Sequence, residues 1–126
     1  MSLLNAIFGT ASEVEATKIQ EEFTPFLADG EEVVAAFKIV RDLFVFTQGR
    51  LIFTDKQGLT GKKTSYHSIP YRSISQFAVE TAGHFEMDSD LKIWIAGNPE
   101  PIRKEIKAGG DIVRLQKVLA SCVLAK

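Results

Sequence analysis

With 126 residues, 25% of them charged and 45% hydrophobic, and a formal net charge of −1, the chain suits a single globular domain and is too short for two. A balance this close to neutral argues against nucleic-acid binding, which calls for a basic excess on one face. Cys122 is the only cysteine, so an intrachain disulfide and a cysteine-based zinc site are excluded; no run approaches the roughly 20 apolar residues that span a bilayer, and a soluble cytoplasmic protein is expected.

The N-terminal stretch carries Leu3, Leu4, Ile7 and Phe8 as the apolar face of one short helical turn, ended by Gly9. It lacks the cationic start and the length of a signal peptide. A turn this short must dock on its own domain or on a neighbouring subunit. Ser12-Glu13-Val14-Glu15 reads as a capping box opening a helix, with Ala16, Ile19, Phe23 and Phe26/Leu27 at helical spacing. Thr24-Pro25 marks a restart and Asp29-Gly30 a stop.

Strands follow. Val33 to Ile39 is the first, then Phe44-Val45-Phe46-Thr47 and Arg50-Leu51-Ile52-Phe53-Thr54, separated by Gln48-Gly49 in a hairpin signal whose Gly can take φ > 0. A polar loop over residues 55–63 leads to alternation through Tyr66, Ile69 and Pro70, then to Phe77-Ala78-Val79-Glu80-Thr81. Leu91-Lys92-Ile93-Trp94-Ile95 alternates with Trp94 opposite the aliphatic face, where it is an exposed anchor or is covered by the N-terminal helices. Ile102 to Ile106 is the last strand, after a turn at Asn98-Pro99-Glu100-Pro101. Asp111 caps a final amphipathic helix with Ile112, Leu115, Leu119 and Cys122/Val123 on one stripe.

Arg41-Asp42, Arg50-Leu51-Ile52, Asp55-Lys56-Gln57-Gly58, Thr60-Gly61-Lys62-Lys63, Ser68-Ile69-Pro70-Tyr71, Ser73-Ile74 and Val79-Glu80-Thr81-Ala82-Gly83 together resemble the bacterial pleckstrin-homology-like domain family. The resemblance runs from about Glu31 to the C-terminus. It implies a mainly β, PH-like superfold: a seven-stranded antiparallel orthogonal sandwich or partly open barrel, capped by the C-terminal helix. Residues 1–30 are then an N-terminal helical segment packing on the domain or a neighbouring subunit, and 31–126 the PH-like domain. It further implies a cyclic homo-oligomer, a pentameric ring for a single-domain member, with a polar groove between subunits that receives a protein partner, and no enzymatic activity.

Chemical motifs are weak by comparison. Gly58-Leu59-Thr60-Gly61-Lys62-Lys63-Thr64 echoes a phosphate-binding loop, but it has two residues between its glycines instead of four and leads into a strand. His84, Glu86, Asp88 and Asp90 alternate like calcium ligands, yet Leu91 and Gly97 stand where a twelve-residue calcium loop needs Gly and Glu. Ser65 beside His67 makes no nucleophile and base, His67 reads as an ordinary strand residue, and Cys122 as an inert buried thiol. No metal, cofactor or catalytic residue is expected.

The functional expectation is a non-catalytic protein–protein interaction module. Arg41, Asp42, Arg50, Lys56, Lys62, Lys63, Tyr71, Arg72 and Glu80 are its candidate surface contacts with an unidentified protein partner, and Leu3, Leu4, Ile7 and Phe8 its oligomer contacts. The alternative is a membrane-associated scaffold that reads anionic lipid headgroups through Lys56, Lys62 and Lys63, helped by repetition around a ring.

Overall fold

Phe44 to Thr47 and Leu51 to Thr54 are buried residue after residue, on both faces of their strands. A half-solvated strand would alternate; an unbroken run requires cover on each side. The computed structural model describes residues 11–39, 42–57, 63–81, 83, 88–107 and 111–125, with the backbone alone at Ala11, Ser12, Lys56 and Gln57. Among them are eight strands in two antiparallel sheets: β1 (Ala11–Val14), β2 (Val33–Ile39), β3 (Asp42–Thr47), β4 (Arg50–Gln57) and β5 (Lys63–Pro70) in order in one, and β6 (Ile74–Thr81), β7 (Ser89–Ile95) and β8 (Ile102–Ile106) in the other. Helix α1 (Ala16–Phe23) runs into a 3₁₀ turn at Thr24–Phe26, a second 3₁₀ turn spans Tyr71–Ser73, and helix α2 is Ile112–Val123.

The main core lies between the sheets under α2. Phe37, Phe44, Phe46, Leu51 and Ile69 meet Leu91, Ile93 and Ile106, and Ile112, Leu115, Val118 and Leu119 close it from the helix. A second cluster covers the outer face of the larger sheet, where Ile19 and Phe23 of α1 pack on Val33, Ala36, Val45 and Ile52. Gln20 fixes α1 to the start of β2: its Oε1 accepts the Val33 amide at 2.6 Å and its Nε2 donates to the Glu31 carbonyl at 3.3 Å.

The seven strands and the terminal helix occur in the predicted order. However, β4 runs on to Gln57 and β5 starts at Lys63, taking up both ends of the expected polar loop, β6 starts already at Ile74, and the Thr24-Pro25 restart is a single 3₁₀ turn. The capping box does not form. Ser12 to Val14 belong to β1, paired with Ala36 to Lys38, and the helix begins only at Ala16. Residues 11–29 thus pack on their own domain, β1 as its sheet's edge strand. Asp111 also departs from expectation: at the N-terminus of α2 it makes no side-chain cap, and its Oδ2 instead accepts the Glu13 amide of β1 at 2.8 Å.

The β3–β4 hairpin turns at Gln48-Gly49 without a positive φ, which among the described glycines only Gly30 and Gly97 adopt. Thr47 organises the turn, its hydroxyl accepting the amides of Gly49 and Arg50 at 3.2 and 3.1 Å while donating to Glu31 Oε2 at 2.7 Å. Gln48 serves another purpose: its longer side chain accepts the Glu32 amide at 2.8 Å and donates to the Gly30 carbonyl at 2.9 Å.

Candidate interaction surfaces

On the three-stranded sheet, the period of two sends Phe77, Val79, Leu91, Ile93, Ile102 and Ile106 inward, leaving the opposite face to polar side chains. Strand register sorts these by charge. Glu80, Asp90 and Glu105 stand side by side across β6, β7 and β8, and the next row carries Ala78, Lys92 and Arg103. Beyond it, Trp94 lies beside Gln76, half-buried. The two charged rows are cross-linked by Lys92–Glu80 at 3.0 Å and Arg103–Asp90 at 2.8 Å. Hydrogen bonding to Asp90 raises the Arg103 pKa above its usual value. Lys107 reaches Glu105 at 3.6 Å and Asp88 at 3.8 Å, at the edge of an acidic hollow of about 220 Å³.

Lys104 breaks the pattern by pointing inward from an edge strand. Its Nζ lies 3.5 Å from Asp42 Oδ2 on β3 and 5.6 Å from the centre of the Phe53 ring, tying the two sheets together. An inward charge on an edge strand resists unwanted strand addition there. His67 packs directly against Phe53, ring centres 5.2 Å apart and planes tilted by 34°, as the last member of a cross-strand row through Phe37, Phe44 and Phe53.

A second surface lies on the outer side of the larger sheet. Phe26 and Tyr66 stack with centroids 4.5 Å apart while remaining 48% and 47% exposed, and Phe23 meets both rings edge-on. Arg50 steadies this ledge from behind. Its Nη2 donates to the Phe26 carbonyl at 2.9 Å and Nη1 to Ser68 Oγ at 3.0 Å, while Nε and Nη2 grip the Glu31 carboxylate. The Arg50 hydrogen bonds, with help from the Ala28 amide, hold the Glu31 carboxyl down to about 2 against partial burial. Beside the ledge a cleft of about 300 Å³ is floored by Ile19, Leu43 and Thr54 and rimmed by Lys18, Glu22 and Lys38.

The candidate contacts whose side chains are described therefore do not form one patch. Arg50 and Arg72 line the same shallow hollow between Phe26 and Pro70, but Arg50 is committed to Glu31. Asp42 bridges to the opposite sheet, Glu80 belongs to the charged rows, and Lys63 is exposed at the start of β5. Tyr71 is not a surface residue: it is 8% exposed, with its hydroxyl donating to the Thr47 carbonyl at 2.7 Å. The 3₁₀ turn after Pro70 swings it into the main core, where burial foremost, then the Cys122 thiol, pushes its pKa up. Arg41, Lys62, Leu3, Leu4, Ile7 and Phe8 lie outside the described residues, as do His84, Glu86 and most of the glycine-containing loop, and Lys56 is described by its backbone alone. Lys92, Arg103 and Glu105 are in no candidate set read from the sequence, and Asp90 enters only the calcium pattern, although their alternation along β7 and β8 is readable there.

Comparison with known proteins gives a consistent answer. Residues 2–123 match the family described as Bacterial PH domain. The chain is 53% identical to the uncharacterized protein YjqA of Bacillus subtilis over 122 residues, covering 96% of this chain and 98% of that one. A crystal structure of a pleckstrin homology domain from Shewanella amazonensis is similar at 56% identity and a TM-score of 0.82, covering 98% of this chain and all of the other. A DUF1696 family protein with a pleckstrin-homology domain from Shewanella loihica follows at 50% identity and a TM-score of 0.79, over 91% of this chain and 98% of that one.

Proposed function

The chain belongs to the bacterial PH domain family, and from that premise we propose a non-catalytic protein–protein interaction module whose copies close into a ring, a pentamer, and present polar surface to another protein. The observation that carries this reading is the ordered charge on the outer face of β6, β7 and β8. Its acidic and basic rows lie between two strand edges that carry no further strand among the described residues. The open edge of β6, free of the inward charge by which Lys104 guards β8, offers main-chain hydrogen bonds to an added segment, and neighbouring rows of opposite charge select which segment and in which register. In this reading Leu3, Leu4, Ile7 and Phe8 make the subunit contacts, and the cell compartment is the cytoplasm. No helix among the described residues is long and apolar enough to cross a membrane.

Light scattering of the purified protein tests the assembly. A mass near five times the 13.9 kDa of one chain is expected, and a monomer mass at micromolar concentration overturns the ring. Reversing the basic row with Lys92→Glu and Arg103→Glu tests the surface. The variant should keep its circular-dichroism spectrum but lose the partner recovered by affinity capture with the native protein; unchanged recovery removes the charged rows from the reading.

A further inference from the structure

β1 is the shortest of the described strands and one of four at a sheet edge. It is four residues long and pairs on one side only, with Ala36 to Ile39 of β2. Of its described side chains only Val14 reaches a hydrophobic cluster, and that one partly. Its remaining hold comes from the far end of the chain. Asp111 accepts the Glu13 amide, and Arg114 brackets the Glu13 carboxylate with Nε to Oε1 at 3.1 Å and Nη2 to Oε2 at 3.4 Å. These groups are solvent-accessible: the Arg114 and Glu13 side chains are 55% and 35% exposed. Salt at physiological strength screens exposed charges over roughly 8 Å, so this clasp weakens as ionic strength rises while the apolar cores do not. The next segment does not share that weakness, because α1 is anchored by Ile19, Phe23 and Gln20.

We propose that β1 is a releasable strap: it opens from β2 at the extended Glu15 joint while α1 and both cores stay folded, and the charges at the start of α2 set how often it does so. Opening bares the main-chain groups of β2 over Ala36–Ile39, converting a covered edge into a free one. Asp111 makes no side-chain cap on its own helix and holds the strap instead. The relevant charged groups are Glu13 and Glu15 on the strap side, Lys38 on β2, and Asp111 and Arg114 on α2.

Native-state hydrogen exchange of the full chain, followed by mass spectrometry, tests this. The β2 amides bonded to β1 should exchange through an opening insensitive to low denaturant, whereas those of Phe44 to Phe46 should exchange only with global unfolding. Glu13→Gln or Arg114→Ala should speed the strap-linked amides about threefold, and Asp111→Ala roughly tenfold, with α2 protection unchanged. Raising the salt should speed the native protein toward the rate of the Arg114→Ala variant. A disulfide between Ser12→Cys and Lys38→Cys, cross-strand partners, in a Cys122→Ser background should abolish the local opening. Strap amides that exchange only with the global transition, or clasp variants that leave their rates unchanged, overturn the proposal.

Discussion

Arg50 closes a two-nitrogen fork on Glu31, Nε to Oε2 and Nη2 to Oε1, both at 2.8 Å. The pair joins residues 19 apart in sequence and ties the loop before β2 to the hairpin that follows it. Because Nη2 also holds the Phe26 carbonyl, the same guanidinium sets the position of the exposed aromatic ledge.

Acid should therefore loosen this corner first. The Glu31 carboxyl is held to about 2 in the folded protein against an ordinary 4.5, so its contribution is full above pH 4.5 and is lost as pH falls toward 2. Allowing for solvent screening, it amounts to about 1–2 kcal/mol. Denaturant titrations from pH 7 to 2.5 should show this component in the native protein and lack it in Glu31→Gln, which starts less stable at pH 7. Parallel curves for the two proteins would refute the assignment.

Tyr71→Phe keeps the buried ring and removes the bond to the Thr47 carbonyl, at an expected cost of about 1 kcal/mol. Alkali probes the same hydroxyl. Its folded pKa is raised, so stability is fully present below about pH 10, where an unfolded tyrosine ionises, and is lost above it. The Tyr71→Phe variant should lose less stability than the native protein between neutral and strongly alkaline pH, measured by thermal melts.

Phe23→Ala should separate the two cores. It removes the ring that packs α1 on the outer sheet face, for a cost of about 3–5 kcal/mol, and leaves the inter-sheet core untouched. Hydrogen exchange should rise over Ala16–Phe23 and stay low over Leu91–Ile95. A uniform rise across both would mean that the domain has one cooperative core.

Lys92→Glu places a third acidic side chain beside Glu80 and Asp90. The melting temperature should fall, more at low salt than at 0.5 M, because repulsion among partly exposed charges is screened. A salt-independent loss would point to packing along the Lys92 stem.

Much of this arrangement is legible in the sequence, for identifiable reasons. Runs such as Phe44 to Thr47 declare strands because β-branched and aromatic residues have no other economical use there, and Ile112, Leu115 and Leu119 declare a helix by their spacing. Ser12 misleads because a capping box is a local signal, while β1 is decided by β2 and by Asp111, distant in sequence. Arg50 and Tyr71 look like surface residues for a similar reason. One is matched by a carboxylate across a turn, and the other is rotated inward by a 3₁₀ turn whose consequence depends on where the core lies. The charged rows need cross-strand register, which alternation within single strands does not supply.

The contact between Glu13 and Asp111 has a consequence for how a cell makes this molecule. A ribosome adding 5–20 residues per second needs roughly 5–20 s to pass from one partner to the other. Throughout that interval β2 can already pair with β3 and β4, but its other margin awaits a fastener that has not yet been synthesised. Vectorial synthesis thus makes the first strand in the described chain among the last to be secured.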